Sequence, residues 1–237
     1  MRLKVSINLK DKWIPFEYHG FLQGIIYRAL DKNSGTFFHN QGFNSNNRIY
    51  RMFVFSELCG KFHIQNKGIV FDEEADFYIS SISSDFMNQL YLYFYNNDYI
   101  MLGKVKAEIV NVMPVEDQVY NDNHEYILKT LSPIVCYKTD QKKYRTYFNP
   151  KSQDFEDSIR NNLLRKYNIL YDKNNEYFEI LQIIKTKEVK VKFKKCIYPA
   201  NNLTMKVKVS DKYLKLLLHT GLGSKNASGF GMMKILK

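Results

Sequence analysis

Gly221-Leu222-Gly223-Ser224-Lys225-Asn226-Ala227-Ser228-Gly229-Phe230-Gly231 is the stretch on which the reading of this chain turns. Two Gly-x-Gly pairs enclose five small or polar residues, and Met232-Met233-Lys234-Ile235 follows as a strand-like run. Glycine reaches positive φ without strain and lets another group come close to the main chain. The spacing therefore predicts a loop whose backbone N–H groups, with Ser224, Lys225 and Asn226, meet phosphates. A glycine-rich hairpin with no ligand is the alternative, since glycine serves turns as readily. A Rossmann or Walker loop fits badly. Neither Gly-x-Gly-x-x-Gly nor Gly-Lys-Ser/Thr occurs, and no strand–loop–helix order surrounds the segment.

Working outward, hydrophobic periodicity puts this loop at the end of a repeated pattern. Residues 2–8 alternate and predict a strand, and 19–31 carry Leu22, Ile25, Ile26 and Leu30 at helical spacing. A polar Asn- and Gly-rich loop is expected at 32–48. Strands are expected at 49–57, 61–65 and near 67–71, a helix after the capping run Ser83-Ser84-Asp85, and strands within 101–115. The order then returns. Residues 126–138 are strand-like, Asp154 to Tyr171 is an amphipathic helix, and strands follow at 177–185, 188–197 and 202–209. A short helix runs from Asp211 to Leu218, and 229–236 closes as a strand. The fold class is α+β, two tandem βαββαβ units of the ferredoxin-like (RRM-like) kind. Pro114, Glu116, Asp117, Asn121 and Asn123 interrupt the apolar pattern, which sets the domains at 1–120 and 121–237.

The 237 residues carry 35 Lys+Arg against 24 Asp+Glu, a formal net charge of +11. That surplus suggests an anionic partner, with a general enrichment in Lys and Asn as the alternative explanation. At 45% hydrophobic and 25% charged residues the chain is not a disordered one. No apolar run reaches the ~18–20 residues that span a bilayer, and Met1-Arg2-Leu3-Lys4-Val5 lacks the apolar centre of a signal peptide. Cys59, Cys136 and Cys196 lie far apart without a C-x-x-C, so neither a disulfide framework nor a cysteine zinc site is indicated and a reducing cytoplasm is expected. Asp72-Glu73-Glu74 with Asp76 reads as a turn between strands rather than a metal site. The expectation is no metal, no cofactor and no membrane partner.

Lys190, Lys192 and Lys194 alternate with Val189, Val191 and Phe193, and Lys206 and Lys208 alternate with Met205 and Val207. Alternation predicts ammonium groups sharing one strand face. A solvated outer face is the ordinary explanation of such a run, but the neighbouring glycine loop favours a path for phosphates. Among the histidines, His19 is expected to cap or pack, His219 is a secondary candidate, and His63 and His124 carry no constellation.

The pattern Gly-Leu-Gly-x5-Gly-Phe-Gly near the C-terminus resembles the glycine-rich signature of the CRISPR repeat-processing endoribonucleases, within the superfamily of repeat-associated RNA-binding proteins (RAMP). Three more segments are similar to the family's, in the family's order. Phe21-Leu22-Gln23-Gly24-Ile25-Ile26-Tyr27 looks like its first helix. Arg51-Met52-Phe53-Val54-Phe55-Ser56 looks like its second strand, and Thr130-Leu131-Ser132-Pro133-Ile134 like the opening of its second domain. The resemblance implies metal-independent cleavage of precursor CRISPR RNA within each repeat. It also implies repeat RNA as partner, with effector-complex subunits as further partners and a monomer or a homodimer. RNA contacts are expected from Gly221, Gly223, Ser224, Lys225, Asn226, Gly229 and Gly231, with the lysines of the 190s and 200s. The family's Tyr, His and Lys match Tyr27, His39 and Arg51. The last is a departure, and Arg48 lies close enough to exchange with it.

Such cleavage needs no water: the ribose 2′-OH attacks the adjacent phosphorus and the 5′-oxygen leaves. The departing oxygen must be protonated, and imidazole is the side chain that titrates nearest neutrality, so His39 is expected as general acid. A phenol, with a reference pKa of about 10, is a poor base, so Tyr27 is expected to orient the 2′-OH or phosphate. Arginine keeps its proton and bonds phosphate oxygens in pairs, which suits Arg51 to stabilising the pentacoordinate phosphorus. The rival function is a non-catalytic RNA-binding subunit of an effector complex. Fold alone does not separate the two.

Overall fold

Leu3, Val5 and Ile7 are fully buried in a strand whose centre lies between two antiparallel partners. The computed structural model describes residues 1–45, 48–116, 123–171 and 175–236. Its first unit runs β1 (Arg2–Asn8), α1 (Tyr18–Arg28), β2 (Phe53–Phe55), β3 (Glu74–Ser81), α2 (Ser84–Tyr95), β4 (Tyr99–Leu102) and β5 (Val105–Val115). The sheet order is β2-β3-β1-β5-β4, which is the ferredoxin-like order with β4 added as an edge hairpin strand. The second unit runs β6 (Glu125–Thr130), α3 (Gln153–Tyr167), β7 (Phe178–Phe193), β8 (Cys196–Val209), α4 (Asp211–Thr220) and β9 (Met233–Leu236). Its order, β7-β8-β6-β9, repeats the arrangement. Each sheet buries one face under its two helices, giving two separate main cores. The expected boundary at 120 and 121 lies outside the described residues.

Local chemistry sets the helix starts. Ser83 Oγ accepts the Phe86 N–H at 3.2 Å, and Ser152 Oγ accepts the Phe155 N–H at 3.3 Å, each satisfying a donor left open by the first turn. Helix α1 stops at Arg28 rather than at 31. Asp31 caps a new short helix, Lys32–Thr36, by accepting the Ser34 N–H at 2.8 Å. The segment expected as a loop at 32–48 therefore carries that helix, a π-turn at Phe37–Gln41, and a ribbon pairing Phe43–Ser45 with Arg48–Tyr50. A single strand at 49–57 was also too simple. Met52, at φ 50, breaks the chain between that ribbon and β2.

The three strands expected across 177–209 are two. β7 and β8 form one long hairpin turned at Lys194. The register of β7 shifts between Ile180 and Gln182 and again between Ile183 and Lys185. Each extra residue inverts the in–out alternation, so the pattern reads as a break where the strand continues.

The two units are joined by polar contacts buried between them. Arg2 Nη2 donates to Leu218 O at 3.2 Å and Met233 O at 2.7 Å. Ser132 Oγ donates to Phe55 O at 3.2 Å, and the Glu57 N–H donates to Leu131 O at 3.0 Å. Among the described residues no helix is long and apolar enough to cross a membrane.

Candidate active site

Aromatic anchoring brings the first candidate residues together. Phe38 is buried against Phe53 and Phe86, and Phe37 packs on Phe43, so the π-turn between them is pinned to the first core. His39, the next residue, is thereby turned outward and is exposed. Gly42 ends the turn at φ 60, where a Cβ would stand 2.7 Å from Ile49 Cγ2. The His39 ring lies edge-on to Tyr27, with centroids 5.0 Å apart, and Tyr27 in turn packs on Phe53 at 5.8 Å. Arg51 Nη2 donates to His39 O at 2.8 Å and its guanidinium also bonds Tyr27. Arg51 rather than Arg48 makes these contacts. Burial pushes the Tyr27 phenol above its ordinary range, and the positive charge of Arg51 opposes that shift. His39 Nδ1 lies 2.7 Å from Asn40 Oδ1.

The glycine loop lies across the face of α1 one turn from Tyr27. Gln23 Nε2 donates to Ala227 O at 2.6 Å. All four glycines have positive φ, between 70° and 84°, and all are buried. Their missing side chains are filled by protein. A Cβ on Gly231 would stand 2.0 Å from Leu222 O, and one on Gly229 2.6 Å from the Phe55 ring. The glycines thus let the two limbs of the loop touch each other and the first unit, while Ser224 to Ser228 form its half-exposed tip. Asn226 holds the tip, donating through Nδ2 to Leu222 O and Phe230 O, both at 3.0 Å.

Behind Asn226 sits a residue the sequence reading passed over. Lys166 is 2% exposed, and its ammonium donates to Thr220 O at 3.1 Å, Gly221 O at 2.7 Å and Asn226 Oδ1 at 2.8 Å. Burial pulls its pKa down to about 7, while three acceptors match the three donors of the charged form. A signal was available: Lys166 falls on the apolar stripe of α3, three residues after Leu163 and seven after Ile159.

Between the ribbon at 48–50, the loop tip and α3 lies a cleft of about 880 Å³, walled by Arg48, Arg51, Lys138, Arg165 and Lys225 among others. The lysine runs are arranged differently from the expected single basic face. Lys190 and Lys192 pair with Pro199 and Ile197, whereas Lys206 and Lys208 share the parity of Tyr198 and Ala200 on β8. Strand alternation therefore puts the two sets on opposite faces. Lys194 lies in the turn at φ 54. Lys192 is ion-paired with Glu17 at the start of α1, and Lys206 with Glu125 at 2.6 Å.

The remaining polar candidates pack. His19 lies between Tyr18, Phe55 and Phe230, and burial pulls its pKa down to about 4. His219 bonds Ser80 Oγ at 2.7 Å between the two units. Burial, with the positive N-terminus, Arg2 and Lys215, pulls it to about 3. Asp76 pairs with Lys4 and Ser6, and Asp72 with His63, and no His, Cys, Asp and Glu cluster of three with metal-holding geometry occurs among the described residues.

Two ferredoxin-like units, closed on each other by a glycine-rich loop beside a basic cleft, define the RAMP class of fold. Residues 114–235, more than half of the chain, match the family described as CRISPR associated protein Cas6, C-terminal. The chain belongs to the Cas6 family of CRISPR-associated proteins. It is 25% identical to the CRISPR-associated endoribonuclease Cas6 1 of Methanocaldococcus jannaschii, over 98% of this chain and 92% of that protein. To the CRISPR-associated endoribonuclease Cas6 of Pyrococcus furiosus it is 24% identical, over 99% and 90%. A solved structure described as a Cas6-related gene product from Pyrococcus furiosus superposes with a TM-score of 0.85 at 22% identity, covering 100% of this chain and 98% of that one. Another, described as an RAMP protein binding different RNA substrates, gives 0.84 at 21% over the full length of both chains.

Proposed function

We propose that this chain is an endoribonuclease that cuts precursor CRISPR RNA within its repeats without a metal ion. The reading is carried by one observation: Tyr27, His39 and Arg51, from three separate segments, meet at one point. The 2′-oxygen forms a bond to phosphorus and gives up its proton to solvent, the bond from phosphorus to the 5′-oxygen breaks, and the 5′-oxygen takes a proton. His39 supplies that proton. In the imidazolium whose Nδ1–H is donated to Asn40 Oδ1, the Nε2–H is the transferable proton. Tyr27, kept protonated by burial, donates a hydrogen bond that orients the 2′-OH or the phosphate. Arg51 stabilises the extra negative charge on phosphorus and, through the His39 carbonyl, holds the loop that carries the acid.

In this reading the first domain, 1–120, performs the chemistry, and the second, 121–237, supplies the basic strands and loop tip that hold repeat RNA. The three free cysteines fit a reducing cytoplasm as its home. The test is to incubate the chain with end-labelled repeat RNA in excess chelator and analyse the product ends by mass. A 2′,3′-cyclic phosphate and a 5′-hydroxyl are expected. Absence of cleavage, with RNA bound, would instead make the chain a binding subunit. A 5′-phosphate product would overturn the chemistry.

A further inference from the structure

Between the strand Glu125–Thr130 and the helix Gln153–Tyr167, a small ribbon pairs Tyr137–Thr139 with Arg145–Tyr147. Its rings belong to a third apolar cluster with Phe193, Tyr198 and Phe230, so the glycine loop and the end of the long hairpin share one support. Three cations converge there. The Arg145 guanidinium lies 5.3 Å from the Tyr137 ring centre and 5.8 Å from that of Tyr198. Lys225 places its ammonium 4.7 Å from the Tyr198 ring centre. Lys194 turns over Phe193 at 5.4 Å, and it repels the Lys225 ammonium, as Arg145 does.

This grouping is costly for the protein alone. Lys225 and Lys194 both stand at positive φ, 63° and 54°, where a side chain is strained. Lys225 is half-buried, and none of the ion pairs among the described residues gives Arg145, Lys194 or Lys225 a carboxylate. Like charges gathered at a loop tip without a counterion are relieved by an anion. The rings add a second property. Arg145 lies over the Tyr137 and Tyr198 rings, is hydrogen-bonded to the Tyr147 side chain and is exposed, so a planar base can stack upon its guanidinium. Tyr137, Ser224 and Lys225 also line the cleft that reaches Arg48 and Arg51, so one strand of RNA can run from the catalytic cluster to this point.

We propose that Arg145, Lys194 and Lys225, seated on Tyr137 and Tyr198, form a second RNA subsite that takes one phosphate and stacks the adjoining unpaired base. It rests on the reading of the chain as a repeat-RNA endoribonuclease, and it assigns single-stranded rather than duplex RNA to the far end of the cleft. Bases paired in a duplex have no free face for Arg145, whereas unpaired ones stack readily on such platforms.

The experiment measures affinity against salt for the full chain and three variants, Arg145→Gln, Arg145→Lys and Lys225→Gln. The probes are a repeat RNA carrying a 2′-deoxy residue at the cut site, so that it binds without reacting, and the same RNA annealed to its complement. Melting temperatures confirm that each variant folds. Arg145→Gln is expected to weaken single-stranded binding about tenfold, from the loss of one stacked base and one charge. The slope of log K against log salt is expected to shrink by about 0.7. Arg145→Lys should restore the slope but not the preference for single-stranded RNA, and Lys225→Gln should lower the slope alike. Unchanged affinity and slope in Arg145→Gln and Lys225→Gln, while the parent chain binds and cuts repeat RNA, would overturn the subsite alone. Equal losses on single-stranded and duplex probes would overturn its stacking role. A parent chain that neither binds nor cuts repeat RNA would overturn the functional reading and the subsite together.

Discussion

Replacing Gly231 by alanine tests whether the glycine loop is a packing device. Gly231 has φ +77, which costs an L-residue about 1–2 kcal/mol. Its new Cβ would stand 2.0 Å from Leu222 O and 3.0 Å from Asn226 Nδ2. The near neighbour is a backbone oxygen, which has no rotamer in which to move aside. Its limb is also tied back, by the Leu222 N–H to Gly231 O at 2.8 Å and by Asn226 Nδ2 to Leu222 O at 3.0 Å. Relieving the clash means opening the loop and losing those two bonds, at about 1 kcal/mol each. The sum is about 3–4 kcal/mol, a fall in Tm of about 10 °C for a chain of this size. Gly24→Ala is the control. Gly24 lies inside α1 with nothing within 4 Å of the new methyl, so helix propensity should raise stability by about 0.5–1 kcal/mol. Urea unfolding followed by circular dichroism reads both. A Gly231→Ala variant within about 0.5 kcal/mol of the parent would refute the packing argument.

Lys166→Met leaves Thr220 O, Gly221 O and Asn226 Oδ1 without their donor, and should cost about 1–3 kcal/mol in the same assay while loosening the loop tip. Histidine burial sets an acid limb. His19 and His219 are held neutral, with pKa values near 4 and 3 in place of about 6.5, so the unfolded chain takes up their protons first. Stability should therefore fall as pH drops below about 6.5 toward 4, by about 1.4 kcal/mol per pH unit for each histidine, and His219→Gln should flatten the curve. Lys190→Gln should reduce the salt dependence of RNA binding more than Lys192→Gln, because Glu17 already pairs Lys192. Equal reductions would contradict the shielding of Lys192 by Glu17, and an unchanged slope in both variants would remove these lysines from the proposed RNA path.

Much of the architecture was legible because it rests on period. The buried triplet Leu3, Val5 and Ile7, the stripe Leu22, Ile25 and Ile26, and the cap at Ser83 are local signals that the structure keeps. The strands expected at 61–65 and near 67–71, however, pair in a separate small sheet with Trp13–Pro15, and the acidic stretch expected as a turn runs into the central strand Glu74–Ser81. What failed was not local. The bulges after Ile180 and Ile183 are insertions against a partner strand, and nothing within Ile180–Lys185 announces that partner. The lysines of β7 and β8 lie on opposite faces because the hairpin register pairs Lys190 with Pro199 and Lys192 with Ile197, out of phase with Lys206 and Lys208. The loop at 32–48 hid its structure because its anchor Phe38 finds its neighbours, Phe53 and Phe86, on β2 and α2. Of the site, the resemblance marked Tyr27, His39 and Arg51, and the fold brings them into contact. Lys166 was passed over although a charge on an apolar helix stripe was visible. The Arg145 cluster was not visible at all, because it joins three segments distant in sequence.

His39→Ala, assayed in single-turnover conditions on repeat RNA with the protein in excess, tests the central claim most directly. The variant keeps the Phe37 and Phe38 anchors and the backbone carbonyl that Arg51 bonds. It should therefore bind RNA as the parent does and cut it about 10²–10⁴-fold more slowly. Cleavage at the parent's rate would contradict the assignment of this cluster as the active site.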